Sequence, residues 1–329
     1  MDFDLLYHKI ASSRLGRFSL RLLSMRREIV LVVVCLCSMF VVSRLSDRFF
    51  TLRNFQVMSP YLVEVGLISI GMTMVIIIKG IDLSVGSIAG LCAVLLGLAW
   101  RDYGLSIWLS AALALVVGTL AGLFNGLVIT KLRMPDLVVT LATMAIYRGI
   151  AEGLTGGQPI TKFPASFQYL GQGLFLKIPI PLWILLPAVL ISALALERSI
   201  FGRYLFAIGN NELAARFAGV KVDRIRTLAY IISGFLSALA AVIYVARVNT
   251  ARSDIGMGWL FEVITGVVLG GTSIAGGEGS IWGSILGLAL ILLLRNGMNL
   301  AGVPTQAQAV IIGCILIITV LINEAIRRR

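Results

Sequence analysis

The chain has 329 residues, of which 58% are hydrophobic and only 13% charged, and its mean hydropathy is +0.96. Soluble domains are about 45–50% apolar and about 25% charged, so this composition excludes an ordinary soluble enzyme. A net charge of +12 would indicate nucleic-acid binding only if basic residues clustered on a soluble face. Here the basic residues flank apolar runs, which is typical of positive-inside membrane topology.

Ten apolar runs follow one another along the chain, and they predict an all-α polytopic membrane protein of about ten transmembrane helices. About 20 helical residues are enough to cross the hydrocarbon core of a bilayer. The predicted spans are approximately 29–45, 61–78, 83–100, 105–130, 135–153, 179–196, 227–248, 259–274, 281–294 and 306–322. Residues 1–28 are expected to form a basic cytoplasmic tail without a cleavable signal peptide, and residues 29–329 a single transmembrane domain.

The segments between the spans set the expected orientation. Residues 154–178 contain prolines, glycines and aromatic side chains, and they predict an outer loop near the interface. Residues 197–226 form the longest charged stretch and are expected to be cytoplasmic. With ten spans and a cytoplasmic N-terminus, the C-terminus is also cytoplasmic. Twice as many basic residues then fall on the cytoplasmic side as on the outer side.

A short amphipathic helix is predicted inside the charged stretch. Asn210 or Asn211 is expected to cap a helix that starts at Glu212, and Gly219 is expected to end it. A two-turn helix outside the membrane, flanked by basic residues, can dock into a groove of a partner. It can equally lie on the lipid surface, and the residues alone leave both interpretations open.

The residue inventory argues against covalent or metal chemistry. His8 is the sole histidine and lies in the polar N-terminal tail, and the four cysteines lie within apolar runs. We therefore expect no catalytic residue and no metal site. The chain also lacks the Gly-x-x-x-x-Gly-Lys-[Ser/Thr] loop that holds nucleotide phosphates.

Four stretches carry a resemblance to a known family. Ala214-Ala215-x-x-x-Gly219 resembles the core of the coupling-helix motif of binding-protein-dependent permeases, although Leu213 here separates Glu212 from the two alanines. Three further stretches are similar to ribose-type sugar permeases and occur in family order. They are residues 79–87, residues 125–126 with 135–141 and 147–149, and residues 268–280. The chain thus resembles the permease subunit of ribose-type ATP-binding-cassette importers.

The resemblance implies a complex of two permeases, identical or paralogous, with two ATPase subunits in a bacterial inner membrane. A periplasmic binding protein would deliver a monosaccharide, and transport would proceed by alternating access. ATP and Mg²⁺ would be bound by the partner ATPase, so this chain is expected to carry no cofactor. The residues expected at the ATPase contact are Asn210, Asn211, Glu212, Ala214, Ala215 and Gly219.

Four residues are candidates for the translocation path or its gate. Asp82 follows a glycine at a membrane boundary and is expected to cap the next helix, or to act in gating or assembly. Asn125 is expected to bond a neighbouring helix or to face the path. Asn296 and Asn299 lie near the outer face, where they either line the entrance or cap a loop.

Four further charged residues each have two possible roles. Arg252 and Asp254 are candidates for docking the binding protein, or they form a solvated turn. Glu64 and Glu262 are either functional carboxylates or solvated ones at the interface. An ion-coupled secondary transporter would depend on one of them.

The remaining alternatives are an importer of a sugar-like autoinducer and a membrane scaffold that does not transport. Arg148 and Glu152 are predicted to form an ion pair on one helix face, since they are four residues apart.

Overall fold

The computed structural model describes residues 29, 31–40, 42–44 and 48–327. The predicted cytoplasmic tail, residues 1–28, lies outside the described residues. The described residues form thirteen helices, and the short strands between them are only two residues long. The helices are α1 (Leu31–Arg44), α2 (Leu52–Ile77), α3 (Val85–Arg101), α4 (Ile107–Lys131), α5 (Asp136–Thr155), α6 (Ala165–Gln172), α7 (Ile180–Arg198), α8 (Ile200–Asn210), α9 (Glu212–Phe217), α10 (Val222–Val248), α11 (Trp259–Leu269), α12 (Ile281–Leu300) and α13 (Thr305–Arg327).

Six helices are long and apolar enough to cross a membrane: α2, α4, α5, α7, α10 and α12. The shorter apolar helices α1, α3 and α11 and the apolar part of α13 coincide with the other four predicted spans. The all-α polytopic class predicted from the sequence is therefore confirmed.

The predicted eighth span and the predicted outer loop differ from the structure. The predicted eighth span is cut short, because α11 ends at Leu269 and Gly271 adopts a positive φ of 91°. The predicted outer loop contains α6 and two antiparallel strand pairs. These are β1 (Ile160–Thr161) with β4 (Thr250–Ala251), and β2 (Leu174–Phe175) with β3 (Ile178–Pro179).

Side-chain caps fix several helix starts. Ser106 accepts a hydrogen bond from the Leu109 amide at the start of α4 (3.3 Å), and Ser280 accepts one from the Gly283 amide at the start of α12 (3.2 Å). Such caps satisfy amides that have no partner inside the helix. They matter more in lipid, where no water replaces the missing bond.

The bundle has two distinct ends. At one end, which we call the α9 end, the Lys79 ammonium donates to the carbonyl of Asn210 (3.4 Å) and the Gly277 amide donates to the carbonyl of Ile77 (2.9 Å). At the other, the α6 end, Phe163 stacks near Trp100 and Phe167 near Trp108. Helices α2, α4, α7 and α11 run towards the α9 end, whereas α3, α5, α10 and α12 run away from it.

Helix α1 extends the same alternation. Its Cys35 thiol donates to the carbonyl of Leu286 (3.8 Å), and further along, Val42 packs against Gly297. Residue numbers rise together on the two helices, so α1 is parallel to α12 and starts at the α9 end.

Close packing on small residues holds the bundle together. Every residue of α2 from Val63 to Ile77 is buried, so α2 forms the centre. On α4, Gly118, Gly122 and Gly126 recur every four residues and face α10, where a Cβ on Gly126 would lie 2.8 Å from the Cα of Thr227. In lipid this close approach provides the dispersion contacts that drive helix association.

Candidate functional site

The predicted extramembrane helix is present as α9. Asn211 is its N-cap, and its Oδ1 accepts a hydrogen bond from the Ala214 amide at 3.0 Å. Asn210 is instead the last residue of α8, a helix that sequence reasoning did not anticipate. Gly219 follows α9 with φ of 83°, a left-handed conformation that suits glycine. The amide of Val220 then bonds the carbonyl of Ala215 (3.0 Å) and closes the turn.

A network of ion pairs fixes α9 against the start of α10. Glu212 accepts hydrogen bonds from Arg216 (2.9 Å) and Arg226 (2.9 Å), and Arg216 also bonds Asp223 (2.6 Å). Burial raises the pKa of Glu212, but the two arginines more than offset this and bring its pKa below the ordinary value. Glu212 is therefore an anchor that sets the orientation of α9.

The outward face of α9 is apolar. Phe217 is 89% exposed and Leu213 is 67% exposed, whereas Ala215 is buried. Beside α9 lies a cavity of about 540 Å³ whose wall includes Arg133, Pro135 and Glu212. Exposed aromatic and aliphatic side chains next to a charged rim are what a protein-docking surface requires.

Asp82 and Asn125 are fully buried in one hydrogen-bonded network. The Asp82 carboxylate accepts from the Ser84 amide (3.0 Å) and hydroxyl (2.6 Å) and from the Ser233 hydroxyl (2.9 Å). Asn125 donates to the Ser84 hydroxyl (2.8 Å), and the Tyr147 hydroxyl reaches Asn125 Oδ1 at 3.4 Å. The network joins α4, α5 and α10 to the break between α2 and α3. Ser84, not Asp82, is the N-cap residue of α3, and no side chain makes a capping bond there. Asp82 instead accepts from the Ser84 amide before the helix begins, and in this conformation neither Asp82 nor Asn125 is exposed to solvent.

Asn296 and Asn299 both join helices near the α6 end. Asn296 exchanges two side-chain hydrogen bonds of 3.0 Å with Asn54, which links α12 to α2. Asn299 accepts from Gln308 at 2.7 Å, which links α12 to α13. The structure does not bring this pair together with Asp82 and Asn125.

The two intramembrane glutamates are buried and paired with arginine. Glu64 makes a bidentate ion pair with Arg247 (2.6 and 3.0 Å), which joins α2 to α10. Glu262 pairs with Arg295, and its other oxygen accepts from the Tyr61 hydroxyl at 2.7 Å. The interpretation of these carboxylates as solvated interfacial groups is therefore wrong. Sequence reasoning missed both arginine partners, because each lies on another helix and far along the chain from its carboxylate.

Two further ion pairs face one cavity at the α6 end. The predicted pair Arg148–Glu152 is confirmed at 2.8 Å, and Arg252 forms a pair with Asp254 at 2.6 Å. All four residues line a cavity of about 640 Å³, which Met257 also borders. Arg252 donates two hydrogen bonds to the Asp254 carboxylate (2.8 and 2.6 Å), so each charge of the pair has a partner. Sequence reasoning treated the two pairs separately, since they lie about a hundred residues apart.

A bundle of apolar helices with buried ion pairs, a charged cavity and a short helix with exposed apolar side chains at one end is typical of a multi-pass membrane protein of the transporter class. Among its described residues, no group of three or more His, Cys, Asp or Glu side chains is placed to hold a metal ion. A family model described as "branched-chain amino acid transport system / permease component" matches residues 58–320. The chain belongs to this family of permease components, and the resemblance found in its motifs is confirmed.

Several characterised permeases are similar over nearly their whole length. The ribose import permease RbsC of Escherichia coli K12 is 35% identical over 299 residues, covering 89% of this chain and 92% of the relative. RbsC of Bacillus subtilis is 40% identical over 79% of this chain and 81% of its own. The autoinducer 2 import permease LsrC of Photorhabdus laumondii is 33% identical over 94% of this chain and 92% of its own. No solved structure matches the chain.

Proposed function

We propose that this chain is the permease subunit of an ATP-driven importer that carries a monosaccharide across a bacterial inner membrane. The observation that carries the proposal is the similarity to ribose import permeases along almost the whole of both chains. Such coverage includes the apolar helices, the cavity and the extramembrane helix together.

The proposed topology has ten membrane crossings, with both termini in the cytoplasm. The alternating directions of the apolar helices support it, because each crossing returns the chain to the other end of the bundle. The α9 end would face the cytoplasm, where positive-inside topology favours its basic residues. The α6 end, with its aromatic rings, would then face outwards.

The proposed mechanism is alternating access driven from the α9 end. The exposed face of α9, with Leu213 and Phe217, would dock into a separate ATPase that binds ATP and Mg²⁺. Ala214, Ala215 and Gly219 would shape this contact. Glu212 would hold the helix in place, since its bond with Arg226 ties α9 to α10. Asn211 would cap α9, and the carbonyl of Asn210, which accepts from Lys79, would fix the end of α8 before it. No covalent chemistry would occur in this chain.

The other proposed partners are a second permease, identical or paralogous, and a periplasmic binding protein that delivers the sugar. Arg252 and Asp254 at the α6 end are the candidate contact for the binding protein, because charged pairs guide such docking. Affinity for the sugar would reside mainly in that protein.

A second candidate cargo is a sugar-like autoinducer. The similarity to the autoinducer 2 permease LsrC, which covers 94% of this chain, favours it specifically. Ion-coupled transport is less well supported, because Glu64 and Glu262 are each paired with an arginine and are not free to exchange a cation.

Reconstitution of the permease with its ATPase in liposomes, with the binding protein added outside, tests the function. We expect uptake of radiolabelled D-ribose that requires ATP inside the liposome and stops when the ATPase is inactivated. A parallel measurement with autoinducer 2 decides between the two cargoes. Uptake that a proton gradient drives without the ATPase would contradict the proposal.

A further inference from the structure

A non-helical segment enters the bundle from the α6 end. Residues 251–256 follow α3 from its last turns towards its start: Gly97 packs against Ala251, Gly90 against the backbone of Ser253, and Gly86 against the backbone of Gly256. At 1.5 Å per residue, Gly90 lies about 16 Å and Gly86 about 22 Å along α3 from Arg101. A bilayer core is about 30 Å thick, so the segment reaches well below the membrane surface.

Irregular backbone at this depth is tolerated only where it is buried in protein or lines a water-filled cavity. Here part of it is exposed, because the side chains of Arg252 and Asp254 retain 54% and 41% of their accessible surface. On the facing helix, Arg148 and Glu152 retain 43% and 45%. Arg148 lies seven residues before the end of α5, about 10 Å along the helix.

Exposed charges on a membrane-spanning helix do not face lipid, where they would cost several kcal/mol. The cavity of about 640 Å³ between the two pairs can therefore be covered only by water or by the second permease of the proposed complex, and thiol labelling distinguishes the two. We call the cavity and its four charged residues, Arg148, Glu152, Arg252 and Asp254, the basin.

Resting on the proposed function, we propose that the basin is the outer half of the sugar path and that residues 251–258 form its floor, which places Arg252 and Asp254 on the path rather than at the binding-protein contact. The two arginines and two carboxylates sum to zero charge, so the basin favours neither cations nor anions. A neutral polyhydroxylated solute fits, because each hydroxyl can donate to a carboxylate and accept from a guanidinium. The volume lies within the roughly 300–1,000 Å³ of small-molecule sites.

The arrangement also explains weak binding in the path. Each arginine already has a carboxylate partner, with hydrogen bonds of 2.6–2.8 Å. A sugar would exchange these bonds rather than fill an empty site, so the net gain is small and the sugar is released readily. The basin thus supplies a wet, neutral passage instead of a second high-affinity site.

Thiol accessibility tests the basin first. Gly153 borders it and has no neighbouring atom within 4 Å of an added Cβ, so Gly153→Cys is accommodated. We expect an impermeant methanethiosulfonate to modify Gly153→Cys from the outside in membranes that hold the assembled complex. Ile150→Cys on the same helix is the matched control, since Ile150 is similarly exposed (46%) and does not border the cavity. The unsubstituted chain gives the background from its native thiols.

Transport is then measured in the modified Gly153→Cys complex at saturating binding protein. Modification is expected to reduce D-ribose uptake by about tenfold or more, since an attached group obstructs the path. The loss is measured against uptake by the same Gly153→Cys complex before modification. Equal labelling of Gly153→Cys and Ile150→Cys would overturn the aqueous basin. Labelling without loss of D-ribose uptake would overturn the role of the basin as the path. Because the binding protein is saturating, a loss of uptake cannot come from weaker docking of that protein. If the unsubstituted complex does not take up D-ribose, the proposed cargo fails while the labelling result still decides the basin.

Discussion

The Glu64–Arg247 pair provides a sharp test of how the bundle is held together. Glu64 is fully buried on the central helix α2, and Arg247 reaches it from the last turn of α10 while lying over the ring of Tyr244. Replacing Glu64 by alanine leaves a mostly buried guanidinium without its carboxylate. Removing one member of a buried pair costs about 3–5 kcal/mol, and the 26% of Arg247 that remains exposed favours the lower end of that range.

The double variant Glu64→Met with Arg247→Met is expected to be far milder. Apolar residues of similar volume often replace a buried ion pair with little loss or even a gain, so we expect a change of about 1 kcal/mol or less. The single variant Arg247→Met should resemble Glu64→Ala, because it strands the carboxylate. Non-additivity in the cycle of Glu64→Met, Arg247→Met and the double variant then measures the coupling between α2 and α10.

Unfolding in mixed micelles with increasing dodecyl sulfate, followed by tryptophan fluorescence, measures these differences. Glu152→Ala is the matched control, because its pair with Arg148 is about half exposed and an exposed pair contributes about 0–1 kcal/mol. If Glu64→Ala unfolds at the same detergent fraction as Glu152→Ala, the pair does not hold α2 to α10, and the reasoning is refuted.

Three further predictions concern other parts of the bundle. Gly122→Leu is expected to lower the yield of monodisperse protein in size-exclusion chromatography, because its Cβ would collide with the carbonyl of Tyr230. Gly149→Leu is the control and should leave this yield unchanged, since a Cβ at Gly149 meets no atom within 4 Å. Phe217→Ser is expected to change the free energy of unfolding by less than about 0.5 kcal/mol, because Phe217 is exposed. The same variant is expected to recover less of the ATPase in a mild-detergent pull-down. Ile200→Ser on α8 is the control, and equal recovery from both variants would contradict docking through α9. Because the pKa of Glu212 is lowered on folding, its stabilisation is present above the unfolded pKa and is lost as pH falls through the folded one. The protection of the amides of residues 212–217, measured relative to their intrinsic exchange rate at each pH, should therefore be unchanged between about pH 7 and about pH 5 and fall only in stronger acid. A fall already at the upper pH values would mean that Glu212 does not anchor α9.

Local signals in the sequence account for much of the fold. Apolar runs located the six long apolar helices and the four shorter ones, because hydropathy depends only on what each segment exposes to lipid. Cap residues located α9, since Asn211 and Gly219 act on their own neighbours. The ion pair of Arg148 with Glu152 followed from helical spacing alone.

Partners that are distant in the sequence could not be found in this way. Glu64 and Arg247 are separated by 183 residues, and Asp82 and Ser233 by 151. Nothing local marks which carboxylate meets which donor. The depth of residues 251–256 escaped prediction for a related reason. A short polar stretch between two spans looks like a surface loop, and only its packing on the glycines of α3 carries it inwards.

The positions of the ion pairs and hydrogen bonds distinguish helices that are held firmly together from a region whose bonds can be exchanged. Ion pairs and asparagine bonds join α2 to α10, α11 and α12 near the α6 end. From the basin towards the α9 end lies the hydrogen-bonded network of Asp82, Asn125 and Tyr147, whose members are hydroxyls, an amide and one carboxylate. Hydrogen bonds of this kind cost little to exchange if each lost partner is replaced. A displacement of α9 reaches them through α10, because Glu212 bonds Arg226 at its first turn and Ser233 two turns further on bonds Asp82. If an ATPase docks at α9 as proposed, a single helix, α10, therefore connects its docking site to the centre of the bundle.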